Sequence, residues 1–179
     1  MSTITYRDAT VDDCEALSSL MRETFVATFG HLYRAEDLAA FLAASYAPAQ
    51  QYAEIIAMDG ETRLAVRDGG LIGYAQIGPF TLPYDPGPAH ALELYRLYVR
   101  ADVQGKGVAP TLMDWAMGRF AARGAGQAFL GVWSENHRAQ KFYTRYGFAK
   151  VAEYQFSVGE ARDAEWILRV DLVSRDGTG

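Results

Sequence analysis

The sequence predicts an α/β fold: a mixed sheet of six to seven strands flanked by about four helices. Three observations carry this. Apolar residues recur at helical intervals near the N-terminus; a glycine turn separates two strand-like runs; and strand-like and helical segments alternate through the second half. The 179 residues, half of them hydrophobic, can bury a sizeable core and suit one domain, over residues 1–173, with a flexible tail at 174–179.

A strand is expected over Thr3–Arg7. Thr10-Val11-Asp12-Asp13 then has the spacing of a capping box and opens a helix with Leu17, Leu20, Met21 and Phe25 on one face. A second helix runs over Glu36–Ser45, with Leu38, Phe41 and Leu42 on one face, and a short helical segment follows near Gln50–Met58. Asp68-Gly69-Gly70 joins strands Thr62–Arg67 and Leu71–Ile77 into an antiparallel hairpin, because that composition accepts positive φ cheaply. The Pro/Gly-rich stretch Thr81–Ala89 reads as floppy. Beyond it come strand Leu92–Val99, helix Val108–Arg123, strand Ala128–Trp133, helix Asn136–Tyr146 and strands near Phe148–Phe156 and Glu165–Leu172.

The net charge of −5 argues against a general nucleic-acid binder, which concentrates cations against phosphates. Cys14 is alone, so no internal disulfide forms, and it reads as a core residue. No run approaches the ~20 apolar residues of a membrane span, and no basic-then-apolar leader opens the chain. A cytoplasmic location is expected, with no membrane partner. No metal-ligand pattern appears, so no metal is assigned.

The informative stretch is Gln104-Gly105-Lys106-Gly107-Val108-Ala109, between a strand and a helix. Two glycines allow a sharp turn that gathers N–H groups, and the apolar stripe Val108, Leu112, Trp115, Ala116 and Phe120 pins the helix so that its positive end faces the loop. A plain strand-to-helix turn and a pyrophosphate site both fit this composition. A Walker loop and a dinucleotide fingerprint fail on spacing.

The loop resembles the acyl-coenzyme A pyrophosphate signature of the GNAT superfamily of N-acetyltransferases, Q/R-x-x-G-x-G/A, filled by Gln104, Gly107 and Ala109. About thirty residues on, Asn136-His137-Arg138-Ala139-Gln140-Lys141-Phe142-Tyr143-Thr144-Arg145-Tyr146-Gly147-Phe148 resembles the second signature, N-x-x-A-x-x-F-Y-x-x-x-G-F. The resemblance implies acetyl-coenzyme A as cosubstrate and a sheet splayed after Val99 and Trp133, between its fourth and fifth strands. It also implies that backbone groups of Tyr98 and Val99 pair with the pantetheine arm, that Asn136 orients it, and that Gln104, Gly105, Lys106, Gly107, Val108 and Ala109 hold the pyrophosphate. Tyr143 matches the residue that protonates the departing thiolate. As a phenol it can serve that role, and equally it belongs to the apolar stripe Ala139, Phe142, Tyr143 and Tyr146.

An alkyl amine acceptor of pKa ~10.4 costs about 4.6 kcal/mol to deprotonate at neutral pH, so a proton acceptor is needed. A period of two places Glu93, Tyr95, Leu97 and Val99 on one face of their strand, and Glu93 is the preferred base, through a water. A carboxylate paired with an Arg is the competing reading. Relatives carry a Glu where this chain has Tyr95, and others use one where it has Gly131. Phe25–Tyr33 and Tyr154–Gly159 resemble bacterial polyamine (spermidine/spermine-type) acetyltransferases, which nominates Phe29, His31, Tyr33, Glu36 and Tyr95 as acceptor-pocket residues. The expected activity is transfer of an acetyl group to a primary amine by a monomer or homodimer. Acetylation of peptide N-termini and a non-catalytic acyl-coenzyme A sensor are the alternatives.

Overall fold

The computed structural model describes residues 3–172, which form seven strands and five α-helices. β1 (Ile4–Asp8) leads through one 3₁₀ turn into α1 (Cys14–Phe29). Asp13 ties that junction: its carboxylate accepts from the Thr10 N–H at 2.8 Å and from both terminal guanidinium nitrogens of Arg7 at 2.7 Å. α2 (Ala35–Ser45) and α3 (Pro48–Ile56) follow, the latter started by a proline whose missing N–H has no helical partner to lose.

β2 (Glu61–Arg67) and β3 (Gly70–Pro79) meet at a two-residue turn in which Asp68 has φ 51° and Gly69 φ 78°, the left-handed pair that matches strand twist. Then come β4 (Ala91–Val99), α4 (Val108–Ala122), β5 (Gln127–Trp133), α5 (His137–Thr144), β6 (Ala149–Val158) and β7 (Ala161–Asp171). The sheet order is β1-β2-β3-β4-β5-β7-β6, antiparallel throughout except between β4 and β5.

That parallel pair positions everything that follows. β4 and β5 are joined only from Ala91–Gln127 to Glu93–Phe129, although β4 continues to Val99 and β5 to Trp133. The sheet therefore opens into a V whose bottom is Glu93. One face is covered by α4 and α5 over a core containing Ile72, Leu92, Leu94, Leu112, Phe120 and Leu130. The other is covered by α1 and α2 over Leu17, Met21, Phe25, Leu42, Leu64 and Tyr74.

The period-two reading of β4 needs correction. Gln76 pairs with Arg96 and Ile77 with Leu94, so Tyr95 is an extra residue in a bulge. Side-chain parity switches there. Leu92 and Leu94, then Leu97 and Val99, face the α4 core, whereas Tyr98 joins the α1 side. Glu93 consequently shares a face with Arg96 and Tyr98, not with Leu97 and Val99. The 80–90 connection is also more anchored than its composition suggests. Phe80 and Tyr84 pack on Phe129 with ring centroids 4.6 and 5.8 Å away, and Thr81 is bonded to Glu93. The expected tail, 174–179, lies outside the described residues.

Candidate active site

A cavity of about 480 Å³ passes through the V from one face of the sheet to the other. Tyr143, Ala139 and Asn136 of α5 and its N-cap line it on one side; Phe25, Phe29, Tyr33, Phe41 and Tyr46 line it on the other. The edges of β4 and β5 that face each other across the opening have no strand partner. The alternation of ladder bonds settles which groups are free there: Arg100 N–H bonds Ile72 C=O on β3, so Tyr98 also turns its backbone groups to β3, while Leu97 and Val99 turn theirs into the gap.

At the open end of β4 the chain turns into α4. Gly105 and Gly107 have φ 78° and 83°, and a Cβ on either would meet no heavy atom within 4 Å. Gln104 N–H and Lys106 N–H are committed to Ala101 and Val103 carbonyls, both at 3.3 Å. The N–H groups of Gly105, Gly107, Val108 and Ala109 have no partner among the described residues, and no side chain caps the helix. Four unpaired amides around open space at a helix N-terminus fit a diphosphate. Arg138 of α5 donates to Gln104 Oε1, which ties the loop to the next helix.

Tyr143 is buried, and desolvation pushes its phenol well above the ordinary value, so it remains protonated. Its hydroxyl has no hydrogen-bond partner among the described residues and its ring lines the cavity. Asn136 does line the cavity, but its Oδ1 caps α5 by accepting from Ala139 N–H at 3.2 Å. Glu93 is 5 % exposed and its Oε2 accepts from the Thr81 N–H at 2.8 Å and hydroxyl at 2.9 Å, with no arginine paired to it among the described residues. Burial raises its pKa, and the Thr81 bonds oppose that.

Among the residues expected to meet the acceptor, Phe29 packs edge-on against Trp133 at 5.9 Å, and Tyr33 donates to Asp163 Oδ2. Tyr95 lies at the rim, its hydroxyl bonded to Pro79 C=O at 2.6 Å. His31, in the turn after α1, and Glu36, in the first turn of α2, are exposed and do not line the cavity; Glu36 pairs with Arg34. Among the cavity residues that escaped the sequence reading are Tyr46, Glu54, Arg96, Tyr154, Asp163 and Glu165. Arg96 is fixed by Glu54 at 3.1 Å and Gln76 at 2.7 Å and lies over the Tyr46 ring. Acids at alternate positions 163 and 165, entering the buried run Ile167–Leu168, were the available signal.

A mixed sheet opened between two parallel strands, with an uncapped helix facing the opening and a phenol inside it, defines an acyl-coenzyme A-dependent transferase. The profile of the Acetyltransferase (GNAT) family matches residues 16–148, and the chain belongs to that family. It is an N-acetyltransferase that uses acetyl-coenzyme A. An uncharacterised N-acetyltransferase of Lactobacillus delbrueckii subsp. lactis, encoded in the pepI 3' region, is 27% identical over 90% of this chain and 93% of its own length. One from Mycobacterium tuberculosis (strain H37Rv) is 28% identical over 90% and 99%. The crystal structure of the PaiA N-acetyltransferase of Thermoplasma acidophilum in complex with coenzyme A superimposes with a TM-score of 0.78, at 22% identity, over 95% of this chain and 99% of that one. No helix among the described residues is long and apolar enough to cross a membrane.

Proposed function

We propose that this N-acetyltransferase acts on a small, polyamine-like primary amine, which attacks acetyl-coenzyme A directly within the V. The cavity's charge balance carries the reading. Glu54, Glu93, Asp163 and Glu165 line it against one cation, Arg96, which is already paired with Glu54. Aromatic walls and surplus carboxylates suit an organic cation, and a cavity of about 480 Å³ suits a small one.

In this reading the amides of Gly105, Gly107, Val108 and Ala109 take the pyrophosphate, flanked by Gln104 and Lys106. The free β4 edge at Leu97 and Val99 pairs with the pantetheine arm, with Tyr98 beneath it and Asn136 alongside. The bound cosubstrate supplies an activated acetyl group as a thioester. Tyr143 delivers its proton to the leaving sulfur. Phe29, Tyr33 and Tyr95 wall the acceptor, and Glu93 adds charge at the bottom of the V; its Oε2 is a strut for the 80–90 connection. The same reading makes residues 1–173 a single cytoplasmic domain, monomeric or homodimeric, with neither nucleic acid nor membrane as partner.

Thiol release from acetyl-coenzyme A should be measured with spermidine, spermine, lysine, amino sugars and peptides. Rapid turnover on the polyamines is expected. Turnover on peptides alone would make the chain an N-terminal acetyltransferase, and tight cosubstrate binding without turnover on any amine would make it a sensor.

A further inference from the structure

Trp133 on β5, Glu165 on β7 and Tyr154 on β6 are register partners, so the three side chains stand in one row across the acceptor face. Gly131 stands on the same face two residues before Trp133. Its missing side chain leaves a space that its neighbours occupy: a Cβ there would lie 2.8 Å from the Tyr154 hydroxyl and 3.0 Å from Glu165 Oε2. Tyr154 donates to that oxygen at 2.6 Å. Glu165 Oε1 has no hydrogen-bond partner, and the carboxylate has no ion pair, among the described residues. Both side chains line the cavity that Tyr143 enters from the far side.

We propose that Glu165 is the catalytic group that receives the proton of the attacking amine, delivered from β7 into the room that Gly131 leaves on β5. The assignment rests on reading the cavity as an amine site. Glu93, the alternative, also keeps Oε1 unbonded among the described residues, but its Oε2 braces the 80–90 connection through two Thr81 donors, whereas Glu165 stands in the row with Trp133 and Tyr154, beside Gly131. The step balances without a further reactant. The ammonium gives a proton to the Glu165 carboxylate; the amine nitrogen forms a C–N bond to the acetyl carbon; the C–S bond breaks, and the sulfur takes the Tyr143 proton. The second proton shed by nitrogen returns to the Tyr143 phenolate through water, and Glu165 releases its own to solvent.

The groups that face Glu165 are Tyr154 from β6, Asp163 from β7, Tyr98 from β4, and Tyr33 and Tyr46 following α1 and α2. None is a cation. Burial, then Asp163, hold its pKa above the ordinary 4.5, and the Tyr154 bond pulls the other way. The base form is therefore lost, as pH falls, at a higher pH than for a solvated glutamate.

The test compares kcat and KM against pH for the wild type, Glu165→Gln and Tyr154→Phe with the best amine of the panel, alongside coenzyme A affinity. Glu165→Gln should lower kcat about 100-fold or more and abolish the acid limb, while coenzyme A affinity stays within about twofold. Tyr154→Phe should move the acid limb to higher pH, since it removes the bond that favours the carboxylate. A Glu165→Gln enzyme that keeps the limb and nearly all of kcat overturns the assignment. If that variant does not fold, an unmoved limb in Tyr154→Phe overturns it instead. A wild type that acetylates no amine sinks the amine reading itself, and the assignment with it.

Discussion

Two glycines at opposite ends of α4 separate backbone strain from ligand contact. Gly107 caps the N-terminus at φ 83°, and Gly124 follows the C-terminus at φ 69°; a Cβ on either would meet no heavy atom within 4 Å. Gly124 closes the helix with Gly124 N–H bonded to Ala121 C=O and Ala125 N–H to Phe120 C=O, both at 3.0 Å. Alanine at either position takes up a left-handed conformation at a cost of about 1–2 kcal/mol. At about 2–4 °C per kcal/mol for a domain of this size, both variants should melt roughly 2–8 °C below the wild type. Only Gly107→Ala places a methyl group among the four open amides. Losing one charge-assisted hydrogen bond there, worth about 1.5–3 kcal/mol, raises the Kd for coenzyme A about 10- to 150-fold. Differential scanning fluorimetry and calorimetric titration of both variants read the two effects separately. If Gly107→Ala binds coenzyme A as tightly as Gly124→Ala does, the pyrophosphate does not sit on this turn.

Tyr143→Phe should lower kcat about 100-fold or more while leaving coenzyme A affinity near the wild-type value, and an unchanged kcat removes the phenol from the mechanism. The Arg7 guanidinium, with the Thr10 N–H, holds Asp13 down at about 2 against an ordinary 3.8, so its contribution to stability is complete above about pH 5 and is lost as pH falls through about 2. After allowance for the half-exposed Arg7, that is about 1–2 kcal/mol. Asp13→Asn should thus flatten urea stability between about pH 5 and 2.5, and an equal acid loss in both proteins refutes it. Arg96→Met leaves the Glu54 and Gln76 side chains without their cation and should cost about 2–3 kcal/mol by urea unfolding, less than the ~3–5 kcal/mol of a fully buried pair. Adding Glu54→Gln should restore part of it; additive losses would show that the pair is not coupled.

Most helices and strands were legible because their signals are local. The stripe Leu17, Leu20, Met21 and Phe25 became the buried face of α1, and the Asp68-Gly69 turn carries the positive φ values that joined β2 to β3. The expected Leu92–Val99 strand lacked one feature, its bulge. Whether Tyr95 is paired depends on β3, and that single extra residue put Arg96 and Tyr98 on the acceptor side and turned Leu97 and Val99 away. His31 and Tyr33 lie two residues apart in a segment with aromatic character, yet only the latter reaches the cavity, because the turn after α1 divides them. No periodicity specifies the direction of an irregular turn.

By itself, then, the chain's order of residues determined the turn into α4, whose two glycines and apolar helix act within about fifteen residues of one another, and the signature it carries pointed to the cosubstrate. The acceptor side was decided in three dimensions. β7 inserts between β5 and β6, which brings Glu165 and Tyr154 beside Gly131, residues far apart along the chain. A missing side chain carries chemical meaning only when a neighbouring strand fills its place, and strand neighbourhood is a property of the folded sheet.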